Sequence, residues 1–460
     1  MTTSTPRAVF VLVAMLALSP VAGAVTPERP SRPEAVPAKT PLPLTLADAI
    51  ARGLQHNLQA VLAAQNVEAA SGAHQVARAA LLPAVDVGAR AARQKISLEE
   101  FGLAPAPGES PLVGPYDVVR GDLTLTQRLL DLGAINRAHA SRQRLVAARS
   151  ALQEARDLVV AACASAYLQA VAAESRVAAA LAQLATARAL VARARNLRDA
   201  GTVAGIEVLR AEVQLAAQRQ RLIQTENERD RTRLVLARAI GLPMGDPYEL
   251  VDAVPFADLE PGSVEEALTR ARTARPELQA ARAQLRAAED IHAAELGDAL
   301  PSLVLSGDVG KVGPTAGAVK GVYTIMAAVR IPLFEGGRVR GHLRASRAEV
   351  EQQLARIADL EAGIELEVRM ALLDLAAAAE QVKVAEGARE LAARQLVQAE
   401  DRFAAGVASN IEVVQAQQAV AEATESHIGS LLAHNLAKLA LARALGVAET
   451  EAAQYLRGVQ

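Results

Sequence analysis

The chain has 460 residues, enough for two or three compact domains or one elongated one. Hydrophobic residues reach 51% while aromatics are only 2%, so alanine supplies much of the apolar content; this disfavours a compact enzyme with an aromatic core and favours long packed helices. The 49 basic and 51 acidic residues leave a net charge of -2, with no basic domain and no aromatics interleaved with a basic patch, which argues against a nucleic-acid partner.

Arg7 precedes an apolar run from Ala8 to Leu18, followed by Ala22-Gly23-Ala24. A basic start, a core too short to span a bilayer and an A-x-A site predict a signal peptide over 1–24. Prolines at 27, 30, 33, 37, 41 and 43 predict an extended linker over 25–43. The single cysteine, Cys163, lies in a run of alanine and valine and reads as a small packing residue.

Further along, proline placement divides the chain. None occurs between Pro115 and Pro243 or after Pro332, and both intervals carry helix formers at helical spacing. The landmarks on either side recur in order. Asn57-Leu58-Gln59-Ala60 returns as Glu277-Leu278-Gln279-Ala280, and Leu82-Pro83 as Leu300-Pro301. Gly201 to Val208 returns as Gly406 to Val413, and Gly241-Leu242 as Gly446-Val447. The offsets are 220, 218, 205 and 205, so the second copy is shortened between its strands. These matches predict a duplicated chain, with repeats at 44–245 and 263–447, a linker at 246–262 and a tail at 448–460.

Residues 134–199 and 338–404 each predict one helix of about 100 Å at 1.5 Å per residue. Segments 45–81 with 206–240, and 265–299 with 411–445, predict half-length helices that match the long ones when stacked end to end. The joints are expected near Gly241 and Gly446. Four strand candidates lie between the shorter and longer helices. Apolar residues share one parity at 118–126 and 323–333, with weaker alternation at 84–97 and 302–311. The segments 98–117 and 312–321 read as loops. Four strands cannot close a membrane sheet, so strands that cross a bilayer must be pooled among chains; three chains give twelve. Two soluble hairpins packed on helices are the plainer reading of the same pattern.

The runs Ile331-Pro332-Leu333-Phe334-Glu335-Gly336-Gly337-Arg338 and Arg275-Pro276-Glu277-Leu278, with the paired Gly-x-x-x-x-Ile-Glu-Val turns, resemble the TolC-like outer-membrane export channels over residues 45–447. The resemblance implies a mainly α chain with a minor β part: a long-helix α-barrel protomer with four transmembrane strands in a trimeric, 12-stranded barrel. It implies an exit duct of a tripartite efflux pump or type I secretion system in the outer membrane. The implied partners are two further copies of the chain, a periplasmic adaptor, an inner-membrane pump and outer-membrane lipid.

Pro332 suits a strand end because it cannot donate a ladder hydrogen bond, and Gly336-Gly337 supplies backbone freedom to turn from strand to helix. Gly133 holds the equivalent place in the first repeat, where Arg128 stands for the proline often found in the family. Phe101, Tyr116, Tyr323 and Phe334 are the aromatics near strand ends. Gly201 and Gly406 are expected to stop the long helices, while Gly205-Ile206-Glu207 and Asn410-Ile411-Glu412 restart the chain, each with Glu in the first turn. By resemblance these turns form the periplasmic tips, where the pore narrows and an adaptor docks. Better-known members carry two aspartates there, three positions apart. Glu412 matches the first and keeps its charge, whereas Gln415 matches the second and does not.

No phosphate loop, nucleophile elbow or zinc-protease motif occurs, and the seven histidines form no ligand set; His427 and His434 share a face two turns apart. No catalytic residue, metal or cofactor is expected. A periplasmic coiled-coil scaffold or adaptor is the alternative reading, although adaptors usually pair one helical hairpin with small β-domains. A secreted helical enzyme is a third, which the missing motifs oppose.

Overall fold

The computed structural model describes residues 41–103, 110–252, 256–259 and 262–457. The signal-peptide expectation at 1–24 and the linker up to residue 40 lie outside them. Strand β1 (Leu42–Leu44), helices α1 (Leu46–His56) and α2 (Leu58–Ala79), strands β2 (Ala84–Ser97) and β3 (Leu112–Leu130), and helices α3 (Leu132–Asp199) and α4 (Gly205–Ala239) make the first part. After β4 (Tyr248–Leu250) follow α5 (Val264–Ala274), α6 (Pro276–Gly297), β5 (Ser302–Gly313), β6 (Lys320–Arg330), α7 (Arg338–Ala404), α8 (Asn410–Ala444) and α9 (Ala448–Arg457).

α3 and α7 run for 68 and 67 residues, about 100 Å each. Segments 206–240 and 411–445 form single helices, whereas 45–81 and 265–299 differ from expectation, because each carries a break. Pro276 opens α6 at its first position, and the residue before it, Arg275, is extended (φ -63°, ψ 120°) as a proline demands. In the first repeat Asn57 makes the same break without proline: its backbone is extended and its Oδ1 accepts from Gln59 N at 2.9 Å, capping α2. The columns are therefore α4 on α2 and α8 on α6, each about 86 Å. α1 and α5 pack beside the joints.

At the joints the glycines are required twice over. Gly241 and Gly446 both have left-handed backbone (φ 69° and 74°). The amide after each donates to a carbonyl five residues back, Leu242 to Ala237 at 2.8 Å and Val447 to Ala442 at 3.0 Å, the Schellman pattern. A Cβ on Gly241 would stand 2.4 Å from His56 Cβ, and one on Gly446 would stand 2.9 Å from Arg275 Cα. The stacked helix ends thus meet with no space for a side chain.

The columns form a row. α2 and α4 flank one side of α3, α6 and α8 the other, and α7 packs beyond α6 and α8. The mid-height core gathers Leu44, Leu46, Val160, Cys163, Tyr167, Leu236, Ile240 and Tyr248 with Leu456 of α9. Cys163 is buried there against Gly53, and burial pushes its thiol up to about 11. A second core joins Leu268, Leu278, Val368, Leu375, Leu441 and Leu445.

The sheet is four-stranded and antiparallel, in the order β2-β3-β5-β6. β3 is longer than the expected 118–126 and takes in part of the expected loop, because Asp117 and Tyr116 pair with Arg93 and Gln94 and, beyond a bulge at Gln94/Ile96, Val113 and Leu112 pair with Ile96 and Ser97. β6 ends at Arg330, so Ile331, Pro332 and Leu333 lie outside the strand. Successive rows alternate in character. Val87, Leu123, Val309 and Tyr323 are register partners across all four strands, and one row away lie Asp86, Thr124, Asp308 and Thr324. Val87 and Tyr323 are 82% and 78% exposed, so the sheet presents an apolar face that the chain itself leaves uncovered.

Two short segments were not foreseen. Leu42 and Pro43, placed in the linker by their prolines, pair through β1 with β4 in parallel. The tail forms α9, held by a clamp: Glu449 N donates to Asp157 Oδ1 at 2.9 Å, and Arg156 Nε reaches Glu449 Oε2 at the same distance. Gln153 Nε2 adds a third bond at 2.7 Å. Arg156 holds the Glu449 carboxyl below its ordinary value, so its contribution is present above the unfolded carboxylate value and is lost as pH falls through the lower folded one. In Glu449→Gln the amides of 448–457 should exchange about fivefold faster at neutral pH, roughly 1 kcal/mol for a half-buried pair. The difference from wild type should vanish on acidification below the depressed Glu449 value; mass-spectrometric hydrogen exchange checks both.

Candidate functional site at the paired helix turns

α3 and α7 end in one geometry. Gly201 (φ 74°) and Gly406 (φ 70°) follow the last helical turns. Thr202 N donates to Leu197 O at 2.9 Å and Val407 N to Arg402 O at 3.1 Å, so both are Schellman caps like those at the joints. The chain then restarts at once. Gly205 opens α4 and Asn410 opens α8, which places Glu207 and Glu412 in the first turns, where the helix dipole favours a carboxylate.

The two hairpins meet in a small core of Leu190, Val191, Val208, Phe403, Val413 and Ala416. Within it Asn410 is fully buried, and its Nδ2 donates across to the backbone oxygen of Glu207 at 3.1 Å. Asn410 Oδ1 and Glu207 Oε2 are buried without a hydrogen-bond partner among the described residues. An acceptor left in that state costs about 1–3 kcal/mol. The turns are thereby brought together, yet held less firmly than the columns above them.

Electrostatically each carboxylate has an arginine. Glu207 Oε1 accepts from Arg210 Nη1 at 2.7 Å, and Glu412 Oε2 lies 3.3 Å from Arg402 Nε. Glu412 and Gln415 are exposed and lie one turn apart on α8, with the carboxylate outermost. Arg402 and the Asn410 bridge escape a one-dimensional reading because their partners lie in other helices. Gly201, Gly205 and Gly406 have open space about them.

The strand-to-helix junctions form a separate group. Gly336 (φ 59°) and Gly337 (φ 89°) turn the chain into α7, and Glu335 pairs with Arg338 at 2.5 Å. Pro332 lines a cavity of about 230 Å³ with Asp131, Asp298, Arg330 and Glu335. Gly133 stands in the first turn of α3, where a Cβ would lie 1.8 Å from Asp298 Oδ1. Arg137 grips Asp298 with bonds of 2.8 and 2.9 Å, which holds that carboxyl below its ordinary value. Arg128, where the family often has proline, pairs at 2.9 Å with Asp131, whose other oxygen caps α3 through Ala134 N. The junction is thus built from an ion pair.

Two histidines bridge neighbouring helices. His74 Nδ1 lies 2.9 Å from Ser141 Oγ, and His292 Nδ1 lies 2.8 Å from Ser346 Oγ, one pair in each repeat. The offset between the two histidines equals that of the Leu-Pro landmarks, so the sequence alone carries a signal for this pair. The His434 ring lies against Phe256, tilted by 44° with centroids 4.9 Å apart, and its Nε2 lies 3.3 Å from Ala257 O; His427 is buried two turns earlier on the same helix.

The model of the outer membrane efflux protein family matches residues 49–242 and 267–447, one segment in each repeat. The toluene efflux pump outer membrane protein TtgF of Pseudomonas putida is 25% identical over 411 residues, covering 87% of this chain and 83% of the relative. The pyoverdine export outer membrane protein OpmQ of Pseudomonas putida is 27% identical over 408 residues, covering 86% and 84%. Among solved structures, the Campylobacter jejuni CmeC outer membrane channel shares the fold with a TM-score of 0.76 at 17% identity, covering 89% of each chain. A duplicated row of long and stacked helices bearing a four-stranded sheet, matched by the family model in both halves, places this chain in the outer membrane efflux protein family, as the outer-membrane exit duct of an efflux system.

Proposed function

We propose that three copies of the chain assemble into one conduit, whose gate is the ring of paired turns around Gly201–Glu207 and Gly406–Gln415. The observation that carries this reading is the position of the open edges. β2 and β6 are the outer strands of the sheet, and they are joined to α2 and α7, the outer columns of the helical row. Each lateral side of the chain therefore exposes an unpaired strand above an uncovered helix. The outer helices also carry unburied apolar side chains, among them Leu209, Val213 and Ile223 on α4 and Leu373, Val384 and Leu391 on α7. A neighbouring copy would pair the strands and cover these residues in one step. Three copies give twelve strands, which suffices to close a barrel.

In that assembly Glu412 contributes three carboxylates to the narrow end, and Arg402 compensates each in part. Gln415 adds no second ring, so the gate rests on a single acidic tier. Gly201, Gly205, Gly406 and Asn410 shape the turns that a periplasmic adaptor would grip, and the inner-membrane pump behind it would supply the energy. The signal peptide delivers the chain to the periplasm, and the junctions at Gly133, Pro332, Gly336 and Gly337 carry the helices into the sheet. TtgF is named for toluene and OpmQ for pyoverdine, which is consistent with a duct whose lining selects weakly.

Migration of unheated outer-membrane fractions in gels tests the assembly: a trimer that collapses to monomer on boiling is expected, and recovery as a soluble periplasmic monomer would refute it. Glu412→Gln removes the ring and leaves Arg402 unpaired. The reversal potential across a tenfold KCl gradient should shift toward anions, whereas an unchanged value would remove Glu412 from the gate. Gly406→Pro deletes the donor to Phe403 O and forbids positive φ, and efflux should fall at least about tenfold with trimers intact. Normal efflux by that variant would move the tip elsewhere.

A further inference from the structure

The face of the sheet opposite the apolar one holds charges arranged in tiers. Arg90, Arg120, Val312 and Lys320 are consecutive register partners across β2, β3, β5 and β6. Two rows nearer the helices, Asp86, Thr124, Asp308 and Thr324 are partners in the same way. Between them lies a row whose only charged side chain is Asp122, flanked by Gly88 and Gly310. A Cβ at position 310 would stand 2.9 Å from Asp122 Cβ, so the glycine makes room for that carboxylate. All three rows share a face because they are two residues apart along each strand.

The tiers are not equally neutralised. Arg120 Nε lies 3.1 Å from Asp122 Oδ1 and its Nη2 lies 2.9 Å from Asp308 Oδ2, so this one cation binds two of the three inner carboxylates and leaves Asp86. Thr124 Oγ1 adds a donor to Asp122 at 3.3 Å. Arg90 and Lys320 are exposed and have no carboxylate partner among the described residues. Arg90 also stands directly opposite Arg120, and like charges in that position destabilise a sheet. A row of three cations in which Arg120 alone is paired with carboxylates is one that a bound anion would relieve.

We propose that Arg90 and Lys320 form an anion-holding belt in the exit lumen, taking polyvalent phosphate or carboxylate groups as they leave. The proposal rests on the closed threefold barrel. Three chains place six uncompensated cations around the lumen, on the side of the carboxylate tier away from the helices. A solute that has passed the acidic gate would meet attraction for its anionic groups at this tier. Cations arriving from outside would meet repulsion first. The apolar face looks the other way, so lipid phosphate does not reach the belt.

Inorganic tripolyphosphate is a suitable probe, applied to single channels in planar bilayers at about 0.1 M KCl, where charges act over about 10 Å. Added to the chamber facing the sheet end, it should reduce the current, and the effect should disappear near 1 M KCl, where screening shortens to about 3 Å. The double variant Arg90→Gln with Lys320→Gln should need at least about tenfold more tripolyphosphate for the same reduction. Asp86→Asn, which removes a repelling carboxylate, should need less. Conducting wild-type channels that ignore the probe, or equal sensitivity in wild type and the double variant, would overturn the belt. Absence of heat-modifiable trimers in the wild type would overturn the barrel itself, and the belt with it; the two failures are read on different gels and traces.

Discussion

A strand edge in hydrocarbon has no water to satisfy its amides and carbonyls, and the lateral surfaces of this chain answer that constraint. The sheet has two such edges, at β2 and β6, and the fold sets an outer helix column beneath each. Strand pairing and helix packing therefore call for the same neighbour on the same side. Charged residues that would blunt an edge in a soluble sheet are scarce on the apolar rows, where Val85, Val87, Ile325 and Val329 are exposed instead. In the proposed assembly the chain carries half of each contact and its copies supply the other half.

Height is governed by a second constraint, the match between one continuous helix and two stacked ones. A single helix of about 100 Å needs only an uninterrupted run of helix formers, which α3 and α7 supply. A stacked column needs two helix ends to meet without a gap, and the four Schellman caps show how duplication met that need. Two of them close the joints at Gly241 and Gly446, and two turn the chain at Gly201 and Gly406. One local device thus serves a buried abutment and an exposed reversal. What differs is the surroundings: His56 and Arg275 press on the first pair, and open space surrounds the second.

Much of this was legible in one dimension. Proline and glycine spacing marks the repeats, the two long helices and the joints, and residue parity marks the strands. The break at Asn57 was not, because asparagine interrupts a helix only when its side chain caps the next one. The outer half of β3 was hidden by Gly114 and Pro115, which read as loop until pairing with β2 is known. At the turns, glycine and glutamate announce themselves by repetition. Arg402, Asn410 and the Arg156–Glu449 clamp do not, since their meaning lies in partners from other helices. The His–Ser pairs fall between these cases, visible by their shared offset once the repeat is accepted.

The two strand hairpins are unequal, and the register says by how much. Gly313, where β5 ends, is level with Val119 and Ala91, while the first hairpin continues its ladder to Ser97 paired with Leu112. Six further residues are about 20 Å along the strand direction. A closed threefold ring of such chains has a crenellated rim, three tall arches alternating with three low ones, and the approximate sixfold repetition of the body is lost at the top. Large objects arriving from outside would touch the first-repeat arches and be held off the low ones, so recognition of this cell surface would fall on one repeat while the other stays sheltered.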